Sequence, residues 1–318
     1  MVALASVTVV GAGAVGSYYG ALLARAGHRV TLVGRGAHGD ALRERGRVTV
    51  RETDGTEWHA PVVAAARPEG PSPELVIVTT KSHHTDDAAR ALAPVVGPGT
   101  LVLSLQNGVE NAGAIGARLG GPPALGGIAF VGVWVDRPGV VEHGAEGGVR
   151  IGDPLGGATP RARAAHAIVA AGWNVGLSDD IVLEQWRKLL WNVGFNAICA
   201  ATGATVGEAL AVPESAALVR GAMEEALAVA NAAGIALTGA DVEEMVAANA
   251  GLSDYRPSTA RDLDTGRRSE RSALSGFVVD EGASQGVPTP LNRALDALVA
   301  LQEERSRRPG HGPGGAGR

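Results

Sequence analysis

Cysteine is nearly absent from the sequence, with Cys199 alone among 318 residues. One thiol cannot form a disulfide within the chain, which indicates a reducing compartment and therefore a cytoplasmic protein. Cys199 lies in an apolar run, so we expect an inert core residue. The apolar residues 2–26 lack a basic start and are interrupted by glycines, which argues against a signal peptide. No other apolar run is long enough to span a bilayer, so we expect no membrane partner.

Lysine is also scarce, because 26 of the 28 basic residues are arginine and only Lys81 and Lys188 are lysine. Of the two residue types, only lysine readily loses its proton, so both lysines are candidates for chemistry. The alternative is that both lysines remain by chance in a sequence whose basic residues are otherwise arginine. The net charge of −5 gives no reason to expect a nucleic-acid partner.

The length and the 45% of hydrophobic residues predict a globular chain of two domains. Strand-like and helix-like segments alternate over residues 1–177, with a β-hairpin expected at 47–63 and antiparallel strands over 124–151. This pattern is typical of the α/β class with a Rossmann-type doubly wound sheet. Residues 178–305 predict helices alone, near 180–201, 214–234, 239–250, 270–285 and 290–304. Residues 306–318 are rich in Gly, Pro and Arg, and we expect a disordered tail.

A glycine motif of the form G-x-G-x-x-G follows the first predicted strand and begins a helix. In that context Gly11 permits a tight turn, Gly13 lets the pyrophosphate of a dinucleotide approach the backbone, and Gly16 lets helix and strand pack closely. The alternative is a glycine-rich packing turn. The expected cofactor-binding residues of the motif are Gly11, Ala12, Gly13, Ala14, Val15 and Gly16.

Three further residues follow the ends of predicted strands, where open parallel sheets bind their ligands. The second strand ends without a carboxylate and is followed by Arg35, which favours the 2′-phosphate of NADPH over the ribose of NADH. Lys81 and Asn107 follow the next two predicted strands, so we expect both at the cofactor. The alternatives are a solvated surface arginine at position 35 and a plain Asn-Gly turn at position 107.

A polar stripe occurs on the first helix of the second half, where Glu184, Lys188, Asn192 and Asn196 recur every four residues. That spacing places them on one face of an α-helix whose other faces are apolar. Such a stripe faces either solvent or a ligand, and a solvated face more often carries charges than two asparagines.

With these motifs the sequence resembles the ketopantoate reductase (2-dehydropantoate 2-reductase) family over about residues 5–303. The resemblance rests on the glycine motif, Lys81, the run 105–108, the run 187–192 with Asn196, and a patterned segment from Ser258 to Pro290. It implies an NADPH-dependent reductase of a 2-keto acid, most directly of 2-dehydropantoate in pantothenate biosynthesis. A homodimer is also expected, without a metal.

The resemblance also implies roles by position. Lys188 matches the general acid that protonates the ketone oxygen, and Glu270 matches an acid near that lysine. Lys81 matches a lysine of the cofactor site. The implied substrate-binding residues are Asn107, Asn192, Asn196 and Ser258.

Three positions depart from the family pattern: Val206, Ser272 and Ser275 stand where members often carry Asn, Asp and Asn. These departures motivate one alternative, the same chemistry on a different 2-keto acid of a specialised pathway. A catalytically silent NADPH-binding sensor is a second alternative, against which the presence of both Lys188 and Glu270 argues. A dehydrogenase of another Rossmann family leaves the motifs of the second half unexplained.

Overall fold

A computed structural model describes residues 4–249 and 254–308. Its contacts divide the chain into two compact units. The sheet unit comprises Met1–Gln106 and Glu110–Val182, and the helical unit comprises Asn107–Val109 and Leu183–Arg318. Among the residues described, no helix is long and apolar enough to cross a membrane.

The sheet unit contains ten strands and five α-helices within its described part. The strands are β1 (Ser6–Val10), β2 (Arg29–Val33), β3 (Arg47–Arg51), β4 (Glu57–Pro61), β5 (Val63–Ala65), β6 (Leu75–Val78), β7 (Leu101–Ser104), β8 (Leu125–Arg137), β9 (Val140–Gly152) and β10 (Asn174–Ser178). The helices are α1 (Ala14–Arg25), α2 (Gly36–Arg45), α3 (Thr85–Leu92), α4 (Asn111–Leu119) and α5 (Pro160–Val169).

The strands form one mixed sheet in the order β4-β3-β9-β8-β7-β6-β1-β2-β5, with β10 paired to β9. The six strands from β8 to β5 pair in parallel throughout, while β8–β9 and β3–β4 are antiparallel. Alternate residues of β1 face opposite sides, so Val9 packs in a core with α1 and α5, and Val10 packs in another with α3 and α4. Helices thus cover both faces of the parallel part, which confirms the predicted doubly wound fold.

The predicted hairpin at 47–63 is confirmed as β3 and β4, and Gly55 adopts a positive φ of 83° in its turn. Two helices of this unit, α2 and α4, were not predicted. Both are short and rich in glycine and alanine, which give little of the apolar periodicity by which a helix is predicted from sequence.

In the helical unit no strand occurs among the described residues, which confirms the predicted all-helical second half. Its α-helices are α6 (Ile181–Trp191, which begins in the sheet unit), α7 (Ala197–Thr202), α8 (Val206–Ala211), α9 (Pro213–Ala232), α10 (Gly239–Asn249), α11 (Ser258–Asp264), α12 (Ser275–Gln285) and α13 (Pro290–Ser306). The short helices α8 and α11 were not predicted, because each has fewer than two full turns of pattern. Of the predicted tail, residues 309–318 lie outside the described residues.

A carboxylate of α9 fixes the start of α13. Glu225 accepts hydrogen bonds from the backbone N–H groups of Leu291 and Asn292, at 2.8 and 2.9 Å. These are among the N–H groups that a helix start leaves without intrahelical partners, and a negative charge is favourable there. The first turn of α13 is therefore fixed to α9, and this also limits the positions that the C-terminal residues of α13 can take.

Candidate active site

The glycine motif forms the turn between β1 and α1, as the sequence predicts. Gly11 has a φ of +108°, and a Cβ there would lie 2.5 Å from the backbone nitrogen of Thr80. At Gly16 a Cβ would lie 2.3 Å from the carbonyl oxygen of Gly11. Both glycines are therefore required by the local backbone, the first for its dihedral angle and the second for close packing of α1.

Gly13 differs from its two neighbours in the motif, because a Cβ built there meets no atom within 4 Å. The fold of the turn itself does not require glycine at this position. Open space beside the backbone at the first turn of α1 is the room that a dinucleotide pyrophosphate needs, and the helix start attracts its negative charge. The motif residues, including Ala12, Ala14 and Val15, therefore fit a dinucleotide phosphate.

A threonine that the sequence analysis missed supports this turn from β6. The Thr79 hydroxyl donates to the carbonyl oxygen of Gly11 at 2.7 Å, and its backbone N–H donates to that of Val10 at 2.8 Å. A Thr-Thr pair at the end of a buried strand is common in sequences, so the pattern gives no signal for this role.

Arg35 lies between β2 and α2, at the N-terminal end of that helix, and is exposed. The backbone before it is held by Arg43, whose Nη1 donates to the carbonyl oxygen of Gly34 at 2.8 Å. In this turn Ala12 packs closely against Gly34, where an added Cβ would lie 2.8 Å from the Cβ of Ala12. Arg35 thus follows the end of β2, the strand that pairs in parallel with β1, and this strand end carries no carboxylate. The exposed guanidinium suits a 2′-phosphate.

Lys81 and Asn107 follow the adjacent parallel strands β6 and β7, where the sequence analysis expects them. Between those strand ends lies Gln106, a residue the sequence analysis did not single out. Its buried amide nitrogen donates to the carbonyl oxygen of Thr80 at 3.0 Å and to the hydroxyl of Thr85 at 2.8 Å. Gln106 therefore ties the turn after β6 to the turn after β7. Its only signal in the sequence is its place before Asn107.

Lys188 lies on α6 and is partly buried. Burial lowers its pKa from 10.5 to about 8, and the negative charge of Glu270 opposes that change. An ammonium with such a pKa is mostly protonated at neutral pH and gives up its proton far more readily than an exposed lysine. The structure thus brings together the two residues that the resemblance pairs.

Glu270 is almost completely buried, at 5% exposure, in the loop before α12. Its Oε2 accepts a hydrogen bond from Nδ2 of Asn107 at 3.1 Å. A buried carboxylate needs such partners, because an unpaired charge away from water is strongly unfavourable. Lys188, Glu270 and Asn107 therefore form one polar cluster of the helical unit, which we call the lysine cluster.

The two asparagines of the predicted stripe are buried, Asn192 at 4% and Asn196 at 2% exposure. The sequence pattern predicts one continuous α-helix near 180–201, but residues Asn192–Asn196 form a π-helical turn between α6 and α7. Nδ2 of Asn196 donates to Oδ1 of Asn192 at 3.2 Å, and Oδ1 of Asn196 has no hydrogen-bond partner among the described residues. π-helical turns occur often at functional sites, and the buried carbonyl oxygen can accept from a ligand.

Gly194 stands in the middle of the π-helical turn and lies against α9. A Cβ there would lie 2.4 Å from Cε and 3.0 Å from Cγ of Met223. Periodicity alone cannot predict a π-helical turn, since it adds one residue to the helix without changing the apolar pattern visibly.

The remaining predicted substrate residue, Ser258, is the exposed first residue of α11. Of the family departures, Ser275 donates its hydroxyl to Oδ1 of Asp296 at 3.0 Å, Ser272 is exposed, and Val206 is fully buried. Ser275 therefore joins α12 to α13.

Cys199 is a free, fully buried thiol on α7. Burial raises its pKa to about 11, so it stays protonated. A buried thiol with a raised pKa is inert, which confirms the prediction of a core cysteine.

Both halves of the chain match models of one protein family. Residues 7–156 match the model of ketopantoate reductase PanE/ApbA, and residues 180–303 match that of its C-terminal domain. The chain is 33% identical to the 2-dehydropantoate 2-reductase of Mesorhizobium japonicum, over 93% of this chain and 96% of that one.

Solved structures agree with the sequence matches. A PanE/ApbA family ketopantoate reductase from Ralstonia eutropha JMP134 superposes with a TM-score of 0.87 at 35% identity, over 95% of this chain and 100% of that one. A 2-dehydropantoate 2-reductase from Geobacter metallireducens GS-15 gives 0.86 at 32%, over 93% and 99%. The predicted resemblance is confirmed: the chain belongs to the ketopantoate reductase PanE/ApbA family.

Proposed function

We propose that this chain reduces 2-dehydropantoate to pantoate with NADPH, as a step of pantothenate biosynthesis. The observation that carries the proposal is the partly buried Lys188 beside Glu270, with a pKa lowered to about 8. A ketone becomes an alcohol by gaining a hydride at carbon and a proton at oxygen. Lys188 is a group that can deliver that proton at neutral pH. Relatives of at least 30% identity over 93% of the chain carry the name 2-dehydropantoate 2-reductase.

We assign the cofactor to residues 11–16, Arg35, Lys81 and Asn107, and residues 1–177 to an NADP-binding domain. The open space at Gly13 and the start of α1 suit the pyrophosphate. The exposed Arg35, at a strand end without a carboxylate, suits a 2′-phosphate. When bound, NADPH supplies the hydride for the keto carbon.

We assign proton transfer to Lys188. As negative charge develops on the keto oxygen, the Lys188 ammonium stabilises it and then releases its proton to it. Partial burial strengthens this interaction, since the surroundings screen charge less than water does. An arginine at this position keeps its proton at all accessible pH values, so only lysine serves as the donor.

Glu270 and Asn107 support the general acid. The Glu270 carboxylate raises the pKa of Lys188 against the effect of burial and so keeps the ammonium charged at neutral pH. Asn107 donates to the carboxylate at 3.1 Å and limits its rotation. We infer that this geometry holds the Lys188 proton at a fixed place for the keto oxygen.

We assign orientation of the keto acid to Asn192, Asn196 and Ser258. Residues 178–305 then form the substrate and catalytic domain. The buried Asn196 Oδ1 offers an acceptor to a substrate hydroxyl, and the exposed Ser258 hydroxyl suits a carboxylate. The names of the relatives favour 2-dehydropantoate over the alternative of another 2-keto acid. The bond from Ser275 to Asp296 also gives that departure a role in joining helices.

Assembly and location are further parts of the proposal. We propose a cytoplasmic homodimer. The single cysteine, which is buried and unreactive, supports the cytoplasmic location alone. Light scattering at several protein concentrations measures the oligomeric state, and a monomer throughout contradicts the dimer.

The test is steady-state reduction of a panel of 2-keto acids, followed by loss of NADPH absorbance. The panel contains 2-dehydropantoate, 2-oxoisovalerate and phenylglyoxylate, which share the keto acid and differ in the rest. We expect the highest kcat/KM on 2-dehydropantoate. A higher value on another member supports the alternative substrate, and inactivity on all members refutes the reductase.

A further inference from the structure

The loop that carries Glu270 borders a cavity. This cavity, of about 270 Å³, is lined by residues of the loop, including Ser269 and Arg271, and by Ala300 and Glu303 of α13. Empty space on one side of a loop leaves fewer packing contacts to restrain it there. Hydrogen bonds on that side of the loop therefore contribute to its position.

One such bond links the residue before Glu270 to α13. The Ser269 hydroxyl donates to Oε2 of Glu303 at 2.9 Å. Both residues are buried, Ser269 at 2% and Glu303 at 6% exposure. A hydrogen bond to a buried carboxylate is charge-assisted, which makes it stronger and more directional than one between neutral groups.

The Glu303 carboxylate is itself fixed in place. Arg307, the residue that follows α13, pairs with its Oε1, and Nε of Arg271 lies 3.9 Å from its Oε2. Arg271 is held in turn by Oδ2 of Asp296 at 2.6 Å. These partners compensate for the burial of the Glu303 charge, which would otherwise be costly.

We propose that Glu303 is a positioning residue for the lysine cluster, and that it acts through the Ser269 hydroxyl to fix Glu270 beside Lys188. Ser269 and Glu270 are neighbours in the chain, so a displacement of the Ser269 backbone moves the Glu270 carboxylate. The consequence for chemistry is indirect, because Glu303 is not part of the lysine cluster. The role of Glu303 in catalysis rests on the proposed function of Lys188. The connection from Glu303 through Ser269 to Glu270 does not depend on that function.

The first experiment measures the Lys188 pKa without any activity. The chain has only two lysines, so protein made with ¹³C-labelled lysine gives two sets of side-chain signals, and Lys188→Arg identifies the one that disappears. In Ser269→Ala, Glu270 is no longer fixed, and the Lys188 pKa is expected to fall by about 0.5 to 1 unit, because the interaction that raises it weakens. Ser269→Thr keeps the hydroxyl and should retain the wild-type pKa.

The second experiment tests whether Glu303 and Ser269 act as one unit. Glu303→Ala should lower the Lys188 pKa as Ser269→Ala does, and the double variant should lower it no further, as expected for partners in a single interaction. Glu304→Gln is the matched control, since Glu304 is exposed and pairs with Arg307 but not with Ser269. It should leave the pKa unchanged.

The third experiment measures the effect of the same variants on catalysis. At about pH 9, kcat of Ser269→Ala should fall by roughly three- to tenfold, the loss of protonated lysine that a fall of about 0.5 to 1 pKa unit produces. NADPH affinity should not change. An unaltered Lys188 pKa in folded Ser269→Ala overturns the proposal, and so does an equal change in Glu304→Gln. An inactive wild type with the expected NMR shifts overturns the proposed function alone.

Discussion

Nδ2 of Asn107 donates to Oε2 of Glu270 over 3.1 Å, between residues 163 positions apart in the sequence. The first follows β7 and the second precedes α12. The contact clusters place Asn107 in the helical unit, although the strand before it belongs to the sheet unit. The lysine cluster thus combines residues that lie far apart in the sequence.

Replacement of Lys188 is the most direct test of the general acid. Lys188→Ala is expected to reduce kcat by roughly 10²- to 10⁴-fold, the usual range for loss of a general acid. Lys188→Arg should restore little, because it keeps the charge without a transferable proton. Steady-state kinetics and NADPH titration measure both, and the affinity for NADPH should change little. A near-normal kcat in Lys188→Ala removes this lysine from the mechanism.

The pH dependence of reduction should follow the protonation of Lys188. Its pKa of about 8 lies below the usual 10.5, and the reaction needs the protonated form. The rate should therefore be highest below about pH 8 and decline as the pH rises through that value. A kcat profile over roughly pH 6 to 11 measures it. A flat profile, or a decline centred near 10.5, would show that the lysine is not the proton donor or is not buried.

Glu270→Gln should move that decline to lower pH. Glutamine keeps an acceptor for Asn107 but removes the negative charge that raises the Lys188 pKa. The expected shift is about one pH unit, which corresponds to about 1.4 kcal/mol of lost interaction. The kcat of this variant should therefore be near normal in mild acid and low in mild alkali. Glu304→Gln, in which an exposed carboxylate is replaced, is the control.

Much of the fold can be predicted from local patterns in the sequence. The valines of β1 and the glycines after it mark a Rossmann-type start, and Asp54-Gly55 marks the β3–β4 turn. The order of the mixed sheet does not follow, because β3 pairs with β9 through residues such as Thr49 and Val140, which lie 91 positions apart. Such long-range pairing depends on the packing of the whole sheet.

The candidate site divides in a similar way. Lys188 stands out because arginine replaces lysine elsewhere, whereas Thr79 and Gln106 act through bonds to backbone carbonyl oxygens, which leave no distinctive pattern. The π-helical turn at Asn192 is equally hidden. The link from Ser269 to Glu303 spans 34 residues, and only the structure brings those side chains together.

Cofactor preference should depend on Arg35. Arg35→Ala is expected to lower kcat/KM for NADPH by roughly tenfold to a hundredfold, since a hydrogen bond to a charged group contributes about 1.5–3 kcal/mol. The value for NADH should change little, because NADH has no 2′-phosphate. Arg67→Ala, which removes an exposed arginine paired with Glu69, is the control. Equal losses with both cofactors would mean that Arg35 does not recognise the phosphate.

The glycine motif permits a comparison between binding and folding. Gly13→Ala places a methyl group where no atom lies within 4 Å, so the melting temperature should be nearly unchanged while the Kd for NADPH rises. Gly16→Ala places one 2.3 Å from the Gly11 carbonyl oxygen, so it should destabilise the fold by about 1–3 kcal/mol. Thermal unfolding and NADPH titration distinguish the two. A Gly13→Ala protein that binds NADPH normally would show that the pyrophosphate lies elsewhere.

Asn196 should show a conflict between stability and substrate binding. Its Oδ1 is buried without a hydrogen-bond partner in the described structure, an arrangement that costs about 1–3 kcal/mol. Asn196→Leu keeps the branched shape and removes that unpaired oxygen, but it also leaves Oδ1 of Asn192 without its donor. These two effects oppose each other, so the free energy of unfolding should change little. The KM for the keto acid should rise by roughly two- to tenfold if the oxygen accepts from the substrate, since such a contact contributes about 0.5–1.5 kcal/mol.

Urea denaturation and steady-state kinetics of the Asn196→Leu protein measure the two effects separately. A purely structural asparagine predicts the opposite pair of results: lower stability, because a buried side-chain bond is lost, and an unchanged KM. Asn292→Leu provides the comparison, since Asn292 is also fully buried with an unpaired Oδ1, but its amide nitrogen donates to the backbone of Ala222 and to Glu225. That substitution should destabilise the protein without raising KM. A KM raised by the substitution at position 196 and unchanged by that at position 292 would therefore identify Oδ1 of Asn196 as an acceptor for the substrate.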